Sequence, residues 1–228
     1  MAGTSSKHVL LVEGEGDKGV FEQICNSLQL NPEIQVSIPK DNLGLRNGKP
    51  GVFERLPILL KKIADGELVH LAVVVDADYV QYNEGYQKTL EKITEIITPY
   101  GFSLTQRLEN QPSGLIFENS DGLADLGLWI MPNNQNEGML EDFIKTCVST
   151  TEQPLFDHAV QVVQAVPNKK FKNHHYSKAE VATWLAWQNP PGHGLYCSVK
   201  DKLLDTDHAL FQEMQQWLKN IFIQTHQQ

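Results

Sequence analysis

Two apolar runs that stop abruptly in carboxylates constrain this chain more than any other feature. His8-Val9-Leu10-Leu11-Val12 leads into Glu13-Gly14-Glu15-Gly16-Asp17, and Val73-Val74-Val75 leads into Asp76-Ala77-Asp78. A continuous Val- and Leu-rich run bounded by Gly and acidic residues predicts a strand buried on both faces, with the acids at its carboxyl end. In an open parallel sheet that end is where ligands bind. Carboxylates gathered there repel one another and resist desolvation unless a positive charge lies between them, and a hard divalent cation such as Mg²⁺ meets that need.

The pattern around these runs is an alternation of strand and helix. Val20, Phe21, Ile24 and Leu28 recur at helical spacing after the first run, with Asp17 placed to cap that helix. Residues 34–38 alternate as a short strand, 42–51 read as a Gly/Asn-rich loop, and a second helix runs to about Ala64 with Pro57 in its first turn or at a kink. The strand 68–76 follows, then an amphipathic helix over 86–97 carrying Leu90, Ile93 and Ile97, stopped by Pro99 and Gly101. Strands are expected at 114–117 and 126–131. Helices are expected from near Gly138, with Leu140, Phe143, Ile144 and Cys147 inward, and over 155–166, 178–187 and 207–223. The first half therefore reads as a sheet with crossover helices, the second as a mainly helical lobe closing over it. Trp129, Trp184, Trp187 and Trp217 stand among apolar residues at strand or helical spacing and are expected in the core.

Gly14-x-Gly16-x-x-Gly19 also has the form of a dinucleotide-binding turn, with Asp41 at the right remove for a ribose acid. That turn donates backbone N–H groups to a pyrophosphate, whereas Glu13, Glu15 and Asp17 put three carboxylates on it against one base, Lys18. Repulsion of about 4 kcal/mol per unit-charge pair at ~4 Å disfavours a bare phosphate there, but not one bridged by metal. No Gly-Lys-Ser/Thr ends the turn, which excludes a P-loop. Asp76 and Asp78, at i and i+2 on a strand end, are expected to point to the same side and to reach one cation or bracket two. A haloacid-type phosphatase would carry such a pair on its first strand with a hydroxyl-bearing residue soon after, where this chain has Tyr79-Val80 on a later strand. A receiver domain would carry a single Asp there.

Val12-Glu13-Gly14 with Asp17, followed later by Asp76-Ala77-Asp78, resembles the Toprim domain of primases, topoisomerases, the ribonuclease that matures 5S ribosomal RNA, recombination mediators and OLD-type nucleases. The likeness covers about the first 130 residues. Asn136-Glu137-Gly138-Met139-Leu140-Glu141-Asp142-Phe143 is similar to the Gly-x-Leu-Glu segment of OLD-like and small stand-alone Toprim-like proteins of unknown function, and Ser177-Lys178-Ala179 to a Lys-Ala helix start in the same group. Tyr79 and Val80 replace acidic or Gly positions often found just after Asp-x-Asp, a departure from the family pattern at a second metal subsite that leaves one ion or two open. The resemblance implies an α/β fold, a mostly parallel sheet flanked by helices over residues 1–135, with a mainly helical C-terminal portion over 136–228 packed on it. It also implies metal-dependent phosphodiester chemistry. Asp76 and Asp78 would hold Mg²⁺ or Mn²⁺, and Glu13 would be a ligand or a general acid/base through water. Glu141 would close the site or be an exposed first-turn acid. Lys178 would stabilise phosphorane charge or be an ordinary surface lysine.

The formal net charge of −9 argues against nonspecific polyanion binding over the whole surface. DNA or RNA would be held by a local patch, Lys169, Lys170, Lys172 and Lys178 with His174 and His175, in which Phe171 and Tyr176 offer stacking surfaces; a solvated loop is the alternative. Cys25, Cys147 and Cys197 form no Cys-x-x-Cys pair, and no run reaches the roughly 20 apolar residues of a membrane span. A cytoplasmic protein without a membrane partner is expected. Two functions fit: a Toprim-type nuclease or phosphoryl-transfer enzyme, and a non-catalytic metal- and nucleotide- or nucleic-acid-binding module that works with a partner protein.

Overall fold

A computed structural model describes residues 7–37, 48–105 and 114–223. The elements run β1 (His8–Val12), α1 (Glu15–Ser27), β2 (Glu33–Val36), α2 (Lys49–Ala64), β3 (His70–Asp76), α3 (Tyr86–Ile97), β4 (Phe102–Leu104), β5 (Leu115–Asn119) and β6 (Leu126–Met131). The helices α4 (Leu140–Thr146), α5 (Gln153–Ala165), α6 (Tyr176–Ala186), α7 (Cys197–Lys200) and α8 (Ala209–Phe222) complete the chain. The protein is α/β, as expected, with one six-stranded mixed sheet in the order β2-β1-β3-β6-β5-β4. Pairings β1–β2, β1–β3 and β3–β6 are parallel; β5–β6 and β4–β5 are antiparallel.

Period-two side-chain direction divides the central strands between two apolar layers. Leu10, Val12, Ala72, Val74, Trp129 and Met131 face a layer built with α1, α4, α5, α6 and α8. Val9, Leu11, Leu71, Val73, Val75, Leu128 and Ile130 face the opposite layer, under α2 and α3. Each fully buried Val, Leu or Ile contributes about 1.5–3 kcal/mol, which is why β1, β3 and β6 carry no interior polar residue except His70 at an end. Gly127 of β6 lets α8 approach: a Cβ there would lie 2.7 Å from Ile221 Cγ1 and 3.1 Å from Trp217 Cζ2.

Several expectations are corrected. Of the expected loop over 42–51, residues 42–47 lie outside the described residues and Lys49, Pro50 and Gly51 belong to α2; Pro50 takes the first turn, where a missing N–H is harmless, and Pro57 lies inside the helix. Asp17 is not the N-cap of α1. Gly14 is, and the Asp17 carboxylate reaches back from the first turn to the Gly14 amide. Trp187 is 40 % exposed, at the C-cap of α6 beside His158, while Trp129, Trp184 and Trp217 are buried. The glycines of the dinucleotide-like pattern serve packing: a Cβ on Gly16 would meet Leu195 at 3.3 Å and one on Gly19 would meet Tyr196 at 3.1 Å. Asp41 lies outside the described residues. Among the described residues no helix is long and apolar enough to cross a membrane.

Candidate functional site

The chain leaves β1 toward β2 on one side and returns in β3 on the other, so the crevice between the carboxyl ends of β1 and β3 is a topological switch point. Glu13 stands one residue past β1 and Asp76 is the last residue of β3. Glu13 Oε1 accepts the Asp76 amide at 2.8 Å, and Asp76 Oδ1 accepts the Leu140 amide, at the start of α4, at 3.0 Å. Asp17 comes from the first turn of α1 and Glu141 from the first turn of α4. Both of those helix starts favour negative charge.

These four carboxylates act on one another. Burial, then the charges of Glu13 and Asp17, hold the Asp76 carboxyl well above the usual carboxylate range. Burial pushes Glu13 up to about 8 against the lowering effect of the Asp76 amide, and Asp17 adds to the rise. Burial likewise raises Asp17 to about 6; amide hydrogen bonds oppose the rise and Glu141 reinforces it. Lys178 Nζ bridges both oxygens of Glu141, at 2.9 and 3.0 Å. Burial works against the Lys178 charge, but Glu141, Asp76 and Asp17 outweigh it and raise its pKa. Glu141 is 7 % exposed in its side chain, so the exposed first-turn acid is not what forms, whereas Lys178, 46 % exposed, is a surface lysine paired with it. Lys18 pairs with Glu22 at 3.9 Å rather than with the carboxylates of its own turn.

Asp78 does not join this group. β3 ends at Asp76, and Asp78 adopts a left-handed backbone (φ 60°), so the same-side rule for i and i+2 on a strand fails. Its amide donates to Gly138 O at 2.9 Å and its carbonyl accepts the Gly138 amide at 3.1 Å. Its carboxylate pairs at 2.7 Å with Lys49, a buried lysine within the stretch expected as loop. The remaining Lys49 acceptors are Glu84 at 3.2 Å, Ala77 O at 3.2 Å and Thr89 Oγ1 at 3.3 Å.

Asp142 braces the neighbouring wall. It accepts the Met139 amide at 3.0 Å and the Tyr79 hydroxyl at 3.3 Å, and the Ser177 hydroxyl donates to its other oxygen. Lys145 joins Ser177 to Glu180, at 2.6 Å from the latter. The residues flanking Asp78, Glu141 and Lys178 are thereby tied to one another. Gly138 is required here, since its φ is +139° and a Cβ would lie 2.7 Å from Asp142 Oδ2.

The basic patch borders this site. The ring of His174 meets Tyr82 edge-on at 4.5 Å, joining the turn after β3 to the α5–α6 connection. His175 is lowered by burial and by the charges of His174, Lys178 and Lys172. Lys170 and Lys172 are exposed, whereas Lys169 donates to Gln164 O and lies over the Tyr176 ring. Phe171 and Tyr176 pack edge-to-face on each other, 5.4 Å between centroids.

The model of a family described as "Protein of unknown function (DUF3226)" matches residues 7–223. The chain belongs to this family. The matched stretch takes in every residue of the site, from Glu13 to Lys178. No curated protein and no solved structure matches the chain.

The donor set fits a hard divalent cation: all oxygen, four carboxylates, mutually repelling and partly dehydrated. Among the described residues no three His, Cys, Asp or Glu side chains already converge at ligand distance. Glu13 and Asp76 each commit one oxygen to a backbone amide, leaving the second available.

Proposed function

We propose that this protein is a divalent-cation-dependent phosphodiesterase acting on nucleic acid, of Toprim type. One observation carries it: Glu13, Asp17, Asp76 and Glu141 share a partly buried switch-point crevice, where burial first and the charges of neighbouring carboxylates second raise the pKa of Asp76, Glu13 and Asp17, and Lys178 is a cation set against them. A cluster so costly to assemble without neutralisation is suited to Mg²⁺ or Mn²⁺ held by Glu13 and Asp76, with Asp17 or Glu141 completing the set. The bound ion would neutralise the scissile phosphate and lower the pKa of an attacking water.

The chain's own groups have separate tasks. Glu13, raised to about 8 in the cation-free protein, gives up its proton where it becomes a ligand; left off the ion, it would instead serve as general acid or base through water. The Leu140 amide fixes the rotamer of Asp76. Lys178, oriented by Glu141, would offer a remaining N–H to a phosphate oxygen and stabilise developing charge. Lys170 and Lys172 steer the flanking strand. The second reading, a non-catalytic module binding metal and a nucleotide or nucleic-acid end with a partner protein, is favoured by the net charge of −9 and by the diversion of Asp78 to Lys49.

Labelled single- and double-stranded DNA and RNA, incubated with protein in Mg²⁺ or Mn²⁺ beside Asp76→Asn, test the choice. Cleavage that needs both the cation and Asp76 is expected. Absence of such cleavage on every substrate would remove the enzymatic reading and leave the module.

A further inference from the structure

The crevice has a second acidic cluster, and it is already neutralised. Lys49, in the first turn of α2, is 5 % exposed. Its ammonium sits among Asp78 Oδ2 (2.7 Å), Glu84 Oε2 (3.2 Å), Ala77 O (3.2 Å) and Thr89 Oγ1 (3.3 Å). Two carboxylates, a carbonyl and a hydroxyl are the hard oxygen donors a small divalent cation takes.

The lysine is built in from both sides. Gly51, two residues on, is so close to the end of β2 that a Cβ would lie 3.0 Å from Ser37 Oγ and 3.1 Å from Ser37 O, which fixes the start of α2. The oxygens are fixed too: the Gly85 amide donates to Ala77 O at 2.9 Å, closing the 77–85 turn, and Asp78 is pinned by its reciprocal backbone pair with Gly138. Asp78 therefore faces α2, away from the group of Asp76, Asp17 and Glu141.

Resting on the cation reading above, we propose that Lys49 takes the place of a second metal ion, making this a one-ion site in which Asp78 and Glu84 are lysine partners and not ligands. The Lys49 ammonium supplies a fixed positive charge on the Asp78 side of the crevice, and the exchangeable ion is confined to Glu13, Asp76 and their neighbours. Loss of Lys49 leaves Asp78 and Glu84 facing one another without a cation, which is the condition for recruiting a second ion.

Mn²⁺ titration of the full chain, read by loss of the free-ion electron paramagnetic resonance signal, tests this without any activity measurement. The expected result is one Mn²⁺ per wild-type chain, retained in Asp78→Asn within about tenfold in affinity, lost in Asp76→Asn, and joined by a second ion in Lys49→Gln. Circular dichroism establishes that each variant is folded, and the wild-type and Asp78→Asn titrations decide the matter if Lys49→Gln is not. Two ions on the wild type, loss of the single ion in Asp78→Asn, or one ion on a folded Lys49→Gln would overturn the proposal. No uptake by the wild type would overturn the cation reading itself and this inference with it, an outcome distinct from uptake of two.

Discussion

Glu13 Oε1 accepts the backbone amide of Asp76 at 2.8 Å, so the carboxylate that ends one strand is bound to the residue that ends its parallel neighbour. The contact ties two acids 63 positions apart into one crevice, where burial makes both hard to ionise. An amide donor lowers the Glu13 pKa, yet burial outweighs it and the net value is about 8.

That balance predicts how stability changes with pH. Glu13 moves from 4.5 in an open chain to about 8 in the fold, so between those values the native state holds a proton that the unfolded state has released. Native stability from this group is therefore greatest below pH 4.5 and declines as pH rises to 8, by an amount on the order of a few kcal/mol. Asp17 acts in the same direction between 3.8 and about 6. Chemical denaturation from pH 5 to 8.5 in chelator should show wild type losing more stability than Glu13→Gln; equal pH slopes would contradict the assignment.

Glu13→Gln itself should stabilise the cation-free protein at pH 8.5, by on the order of 1–2 kcal/mol. The glutamine oxygen still accepts the Asp76 amide while the repulsion is gone. The same variant should lose cation-induced stabilisation. A variant less stable than wild type at that pH would show that the hydrogen bond, not the charge, dominates at this position.

Asp142→Ala should lower stability by about 2–3 kcal/mol, because the Met139 amide, the Tyr79 hydroxyl and the Ser177 hydroxyl all lose an acceptor. Denaturant titration measures this directly. A change below about 0.5 kcal/mol would mean that water replaces the carboxylate and that the brace between α4, α6 and the Asp78 turn is weak.

Much of this architecture is legible in the residues, and the exceptions have physical causes. The apolar runs of β1, β3 and β6 and the spacing of Ile93 and Ile97 in α3 announce themselves because burial on both faces of a sheet, or on one face of a helix, leaves a recognisable trace. β4 has only three residues and pairs antiparallel with β5 alone, too short to leave such a trace. Glu13 and Asp76 follow from the strand ends. Lys49 does not, since its acceptors lie 28 to 40 positions away, and Asp78 misleads because its left-handed backbone breaks the strand alternation. Glu141 and Lys178 stand as candidates in the sequence, but that they face each other is a tertiary fact.

Gly127→Ala should cost about 1–3 kcal/mol, since the added methyl would press on Ile221 and Trp217 and push α8 off the sheet. Reduced thermal stability with an altered tryptophan emission spectrum is expected. Wild-type stability would contradict the close approach of α8 to β6.

Burial pushes the thiols of Cys25 and Cys147 up to about 12. At pH 8 only about one in ten thousand of either is then thiolate, and Cys197 is buried and raised as well. A chromogenic disulfide reagent should find almost no reactive thiol in the native protein and all three after guanidinium unfolding. Fast reaction of the native form would contradict this burial.

Calorimetric titration with Mn²⁺ at pH 7, repeated in two buffers of different ionisation enthalpy, tests the central claim most directly. Because Glu13, at about 8, holds a proton in the cation-free protein and Asp76 is also held well above the carboxylate range, uptake should expel protons, that of Glu13 among them, and Glu13→Gln should lower the number released. Absence of uptake, or uptake with no proton release and no response to Glu13→Gln, would contradict a cation site built on these carboxylates.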